Sequence, residues 1–184
     1  KYCKDDDIVV ILDGDDWLCR NDVLSLLTDS YLKENCLALY TGYKIFIDNK
    51  IDKLVNGSEY PKDIKNSGEY RKYPAWKFTH IKTGYSNLFK NIPINYLKYN
   101  NNWLDRCTDL AEMYCVSEMA HTRVKHLKEI TYVYNKSDML GIIVSHGIVN
   151  YITIRKNGNK YSSLLIHRSK NKIRYPFRFM VINQ

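Results

Sequence analysis

No apolar run in this chain approaches the about 18 uninterrupted residues that a membrane-spanning helix needs, and no charged-then-apolar leader opens it. The expectation is therefore a soluble protein. The 5 cysteines, at positions 3, 19, 36, 107 and 115, are odd in number and form no C-x-x-C pair. That argues against a structural zinc or a redox dithiol, and for reduced thiols in a cytoplasmic setting. There is no G-x-x-x-x-G-K stretch, which excludes a nucleotide site of the P-loop type. Internal repeats and low-complexity tracts are also missing, so 184 residues read as one domain with apolar content sufficient for a core.

Late positive charge is present in excess. Asp138 is the last acid, and 8 of the 28 Lys and Arg residues follow it, while the other 20 bases balance the 20 acids. The basic stretch from Arg155 to Arg178 reads either as a solvated face or as a contact for an anionic partner such as a membrane surface, a polyanionic acceptor or nucleic acid.

The most informative stretch is I-V-V-I-L-D-G-D-D-W-L at 8–18, where an aliphatic strand runs straight into Asp13, Asp15 and Asp16. Gly14 is read as permitting a sharp turn there. A plain turn followed by a helix is one reading, but a turn or an N-cap requires a single side-chain oxygen, and three carboxylates exceed that. Oxygen-only ligands suit magnesium or manganese rather than zinc, so a divalent ion, holding a phosphate, is expected.

Further along, the apolar spacing predicts a helix over 21–32, a strand over 36–40, and a hairpin of 43–48 with 51–55 turning at Asp48-Asn49. Residues 56–73 are polar and read as a loop, of a length that tends to be functional. A short helix is expected over 82–90 and the best helix of the chain over 105–120. The latter has Leu110, Met113, Tyr114 and Ser117 along one stripe, Thr108 as N-cap and Asp109 in the first turn. Short strands over 124–127 and 130–134 follow, then a helix from about Met139 to Ile154 and a basic tail.

Two blocks, I-L-D-G-D-D-W-L at 11–18 and C-T-D-L-A-E-M-Y-C-V-S-E-M-A at 107–120, resemble the nucleotide-sugar glycosyltransferases of family 2, which have the GT-A fold. E-I-T-Y-V-Y-N at 129–135 is similar to the strand that closes that family's catalytic domain. F-T-H-I-K-T at 78–83 is similar to a Ser-His-Leu-Arg-Thr stretch of some members, including relatives in large DNA viruses. Order and spacing agree over most of residues 5–138.

The resemblance implies an α/β chain with a GT-A-like mixed sheet flanked by helices. Residues 1–138 would form its metal-binding and acceptor side, and 139–184 a basic extension, helical then irregular. Only twelve residues precede Asp13, so the family's N-terminal nucleotide-binding part is expected to be lacking. The implied reaction is inverting transfer of a sugar from a nucleotide diphosphate donor, a UDP-sugar first, to a glycan or other hydroxyl acceptor. Asp13, Asp15 and Asp16 would hold Mn2+ or Mg2+ across the donor phosphates, with Asp13 also touching the ribose and Asp15 and Asp16 the better metal ligands. Asp109 would be the catalytic base, with Asp105 as a fallback. His80 and Lys82 are expected to contact the diphosphate or the acceptor. Trp76, beside the polar loop, is expected to stack on an acceptor sugar, and Trp17 to pack in the core. Two other classes stay open: a phosphatase of the haloacid dehalogenase type with Asp13 as nucleophile, and a non-catalytic polyanion-binding module. No nucleic-acid partner is expected, since no motif for one is present.

Overall fold

The structure is a computed structural model that describes residues 3–104, 107–137, 149–157 and 160–168. It is an α/β arrangement around one mixed sheet. Strand β1 (Ile8–Asp13) lies near the middle, its aliphatic run buried on both faces. Side chains alternate along a strand, so Val9 and Ile11 enter one hydrophobic cluster while Ile8 and Val10 enter the other.

After a two-residue strand β2 (Trp17–Leu18) comes helix α1 (Val23–Glu34), then a hairpin of β3 (Ala38–Ile47) and β4 (Lys50–Val55). Its turn residues Asp48 and Asn49 both have positive φ, 49° and 62°, which matches the twist of two-residue hairpins. Gly42 does not end β3. The strand runs through it, and the pairing register shifts there. A Cβ at this position would sit 2.6 Å from the Ile130 side chain and 2.8 Å from the Val55 carbonyl oxygen.

The stretch expected to be a loop folds in part. It contains helix α2 (Lys62–Ser67) and a 3-10 turn at Tyr70–Lys72. Its aromatic residues explain why. Tyr60, Tyr70 and Phe78 pack together with Tyr40 of β3, with centroid distances of 4.8 to 5.8 Å. The buried hydroxyls find carbonyl acceptors, Tyr40 at Ser58 (2.8 Å) and Tyr70 at His121 (2.6 Å).

The helix expected over 82–90 is a strand first. Residues Lys82–Tyr85 form β5, between β1 and β3, and only Ser86–Lys90 is helical, as α3. Strand pairing at a central position overrides a short helical pattern, because an unpaired backbone there would be costly. Short strands β6 (Lys98–Tyr99) and β7 (Asn102–Trp103) make a separate pair, and helix α4 (Thr108–Ala120) follows. The two strands expected next are one, β8 (Val124–Asn135).

Of the helix expected over 139–154, residues 149–154 belong instead to strand β9 (Val149–Asn157), and 139–148 lie outside the described residues. β9 pairs with β1 and with β10 (Lys160–Arg168), so the basic extension adds strands to the same sheet. The strand order is β10-β9-β1-β5-β3-β8-β2, with β4 also on β3. The β3–β8 pairing is parallel and the others are antiparallel. The α1 residues Val23, Leu27 and Tyr31 cover one face, and α3, α4 and the aromatic cluster cover the other. Among the described residues no helix is long and apolar enough to cross a membrane.

Phe78 is fully buried among five aromatic rings. Truncation to alanine should remove about 3–5 kcal/mol of stability, checked by urea denaturation with an unchanged slope.

Candidate functional site

The acids after β1 form a turn that bridges the sheet. The Asp16 N–H donates to the Asp13 carbonyl (3.2 Å), and the chain then crosses to the far edge, where Trp17 and Leu18 pair with Val133 and Tyr132 of β8. Gly14 sits inside this turn, but among the described residues the glycines at positive φ are Gly57 and Gly68, so the turn does not use the left-handed region.

Tyr132 fastens the crossing. Its hydroxyl accepts the Asp13 N–H at 3.1 Å and donates to Asp16 Oδ2 at 2.6 Å, while the Asn135 N–H donates to Asp16 Oδ1 at 2.8 Å. Burial pushes the Asp16 carboxyl up to about 7 in spite of these two donors, and the neighbouring Asp13 and Asp15 add to the rise. Asp13 is half-buried and its carboxyl is also raised, first by burial, with Lys82 opposing and Asp109 and Asp15 adding. Asp15 is exposed.

Asp109 enters from the opposite direction in sequence. Helix α4 begins at Thr108 rather than at 105. Cys107, not Thr108, is the cap, in the left-handed region at φ 56°, and it makes no side-chain cap hydrogen bond. Asp105 lies outside the described residues. From the first turn of α4, Asp109 Oδ2 accepts the Lys82 ammonium at 2.5 Å. Lys82 on β5 is 1% exposed and Asp109 is 36% exposed, so the pair joins a buried cation to an anion facing outward. Burial by itself raises the Asp109 carboxyl, but the charge and hydrogen bond of Lys82 outweigh it, and the carboxyl stays below its ordinary range. Lys82 and Asp109 both act electrostatically on Asp13, which puts the acids of β1 and α4 in one field.

His80 stands beside this group in an aromatic stack. It lies nearly parallel to Tyr132 (4.7 Å, 13°) and Tyr134 (5.5 Å, 11°), and edge-on to Tyr43 (5.5 Å, 89°). Burial, reinforced by Lys82, lowers it to about 3, so it is uncharged at neutral pH. Thr41 of β3 accepts the Ile81 N–H at 3.0 Å and bonds Thr131 of β8 at 2.5 Å, which ties the segment between His80 and Lys82 to β3 and β8. The site residues Asp13, Asp16, His80, Lys82 and Asp109 thus come together. Trp76 lies on the neighbouring cluster, 36% exposed, edge-on to Phe78 (4.9 Å) and Tyr114 (5.2 Å). Trp17 is not a core residue. It is 40% exposed on β2, with one edge on Phe46 (5.1 Å), because a two-residue edge strand leaves its outer face in solvent.

Among the described residues no group of three or more His, Cys, Asp or Glu side chains is placed to hold a metal ion, so the three-carboxylate site is not formed by protein groups alone. Asp16 is engaged by Tyr132 and Asn135, which leaves Asp13 and Asp15 as the available oxygen donors. Magnesium is commonly held by one or two carboxylates together with substrate phosphates and water. Two carboxylates do not amount to a protein cage, and a divalent ion here would need its remaining oxygen ligands from outside these residues.

One group escaped the sequence reading. Glu112, one turn beyond Asp109 on α4, is 2% exposed, and its Oε1 has no hydrogen-bond partner. Burial first, then Asp109, pushes its carboxyl up to about 8. Leu110, expected on the buried stripe, is 36% exposed instead; the buried positions are Ala111, Glu112, Met113, Cys115, Val116, Ser117 and Ala120. The available signal was the helical spacing of Glu112 with Val116 and Ala120, which puts an acid on an apolar face.

The chain is thus an α/β protein with a mixed sheet and an acid cluster organised by a buried lysine. No protein-family model matches the chain, and no curated protein matches it.

Removing Asp109 strands a buried ammonium. Asp109→Ala should cost about 2–3 kcal/mol, less than for a fully buried pair because Asp109 faces solvent, while the double variant Lys82→Met/Asp109→Ala should recover most of it. Thermal or urea denaturation of the four-member cycle measures the difference.

Proposed function

We propose that this chain carries the phosphate-side and acceptor-side groups of an inverting sugar transfer from a nucleotide diphosphate donor to a hydroxyl acceptor, on a GT-A-like sheet. The observation that carries the reading is Asp109: an ionised carboxylate, held by buried Lys82 and facing outward, in the same field as the acids that end β1.

Asp109 is the proton acceptor. As the acceptor oxygen attacks the anomeric carbon, its hydroxyl becomes acidic only in the transition state, so a carboxylate with a lowered pKa is sufficient as base. Lys82 keeps that carboxylate charged and fixed in orientation. The donor diphosphate faces Asp13 and Asp15, and the acceptor's sugar face meets Trp76. A divalent cation, when bound there with the diphosphate, offsets the negative charge growing on the leaving group. Tyr132 and Asn135 hold the turn in place through Asp16. His80, uncharged and stacked on Tyr132 and Tyr134, contributes a neutral ring and not a phosphate-binding charge.

The experiment is transfer or hydrolysis from a panel of UDP-, GDP- and TDP-sugars with manganese. Asp109→Asn should lower the rate by about 10²–10⁴-fold, and Asp15→Ala should raise the manganese requirement. Release of phosphate from an aryl phosphate, lost in Asp13→Asn, with no sugar transfer, would replace this reading by the phosphatase one.

A further inference from the structure

Glu112 is the one buried carboxyl of the described residues whose oxygen lacks any partner, and it lies a single turn from Asp109. Residues three apart on a helix are neighbours on one face. We propose that Glu112 is a positioning residue that keeps its carboxyl group uncharged beside the Asp109–Lys82 pair, so that the ammonium has one anionic partner on α4 and Asp109 remains the charged acid of that helix's first turns.

The argument is one of solvation. An ionised carboxylate at 2% exposure with an unpartnered oxygen would be far costlier than the neutral acid. The charged groups acting on Glu112 are Asp109 on its own helix, Lys82 on β5 and, least, Asp13 at the end of β1. Two of the three are anions, and the single cation is already bonded to Asp109 at 2.5 Å. Ionising Glu112 would place a second anion beside a buried ammonium that has no water to share its charge. Lys82 would then divide itself between two carboxylates, and the pull that holds Asp109 ionised and oriented would weaken. The upward displacement of the Glu112 carboxyl to about 8 agrees with this geometry. The predicted device is a site that works while Glu112 holds its proton and loses definition as that proton leaves.

The link to catalysis rests on the reading of Asp109 as base, but the protonation of Glu112 does not, so the test reads carboxyl groups directly. Carbon-13 NMR of the Glu Cδ and Asp Cγ atoms is followed against pH in the wild-type chain and in Glu112→Gln, without substrate. The expected result is a Glu112 signal that stays protonated through neutral pH and inflects at about 8, with a matching inflection in Asp109 that Glu112→Gln abolishes. A Glu112 signal that ionises in the ordinary glutamate range overturns the proposal. So does an Asp109 inflection that persists in Glu112→Gln. Should the variant not fold, the wild-type Glu112 titration decides alone.

Stability supplies a second readout. An acid whose folded pKa is raised favours the folded state below its unfolded pKa, and that contribution is lost as pH rises through the folded value. The thermal midpoint of the wild type should therefore fall relative to Glu112→Gln from about pH 4.5 to about 8 and then run parallel. Curves parallel throughout overturn the proposal. Lack of sugar transfer with these titrations as expected would count against the transferase alone.

Discussion

A lysine ammonium stripped of water must have an anion, and in this protein that requirement ties the sheet to its longest described helix. Lys82 sits in the centre of the sheet, between β1 and β3, at 1% exposure, and its ammonium donates to Asp109 at the start of α4. Asp109 stands in the first turn of α4, directly after Cys107, which takes the left-handed conformation at the helix cap. Lys82 also acts on its surroundings: it draws Asp109 down against burial, adds to the burial that keeps His80 neutral, and opposes the burial that raises Asp13.

The turn after β1 depends on a second buried polar group. Tyr132 binds the backbone of Asp13 and the carboxylate of Asp16 at once, so one phenol ties the end of β1 to β8 across two intervening strands. Asp16, the most buried of the three acids, is therefore occupied in holding the loop, and Asp13 and Asp15 are the more open two. The aromatic cluster of Tyr40, Tyr60, Tyr70, Trp76 and Phe78 does the corresponding work for the chain between β4 and β5. A polar stretch without a run of aliphatic residues is ordered by rings whose hydroxyls reach backbone acceptors.

Several elements were legible from local pattern. The aliphatic run of β1, the apolar stripe of α1, the Asp48-Asn49 hairpin and the acid in the first turn of α4 each follow from residues close together in sequence. Readings failed where partners decide. Residues 149–154 have a helical pattern of apolar positions, yet β1 offers an open edge with unpaired N–H and C=O groups, and pairing along six positions satisfies them. Lys82–Tyr85 is a strand because two neighbours flank it, and Trp17 is exposed because β2 is too short and too near the edge to be covered.

By itself the sequence determined that three carboxylates close an apolar strand, that a further aspartate opens a helix, and that the chain belongs to the α/β class, since all of these are written in periods of a few residues. Which acids would share a field was settled by tertiary structure. Lys82 and Asp109 are 27 residues apart, and Tyr132 and Asp16 are 116 apart, with nothing local to announce either pairing. The burial of Glu112 was decided in the same way: a glutamate on a helix is equally at home in water until the neighbouring strands fix which face turns inward, and the cost of removing its charge from water appears only then.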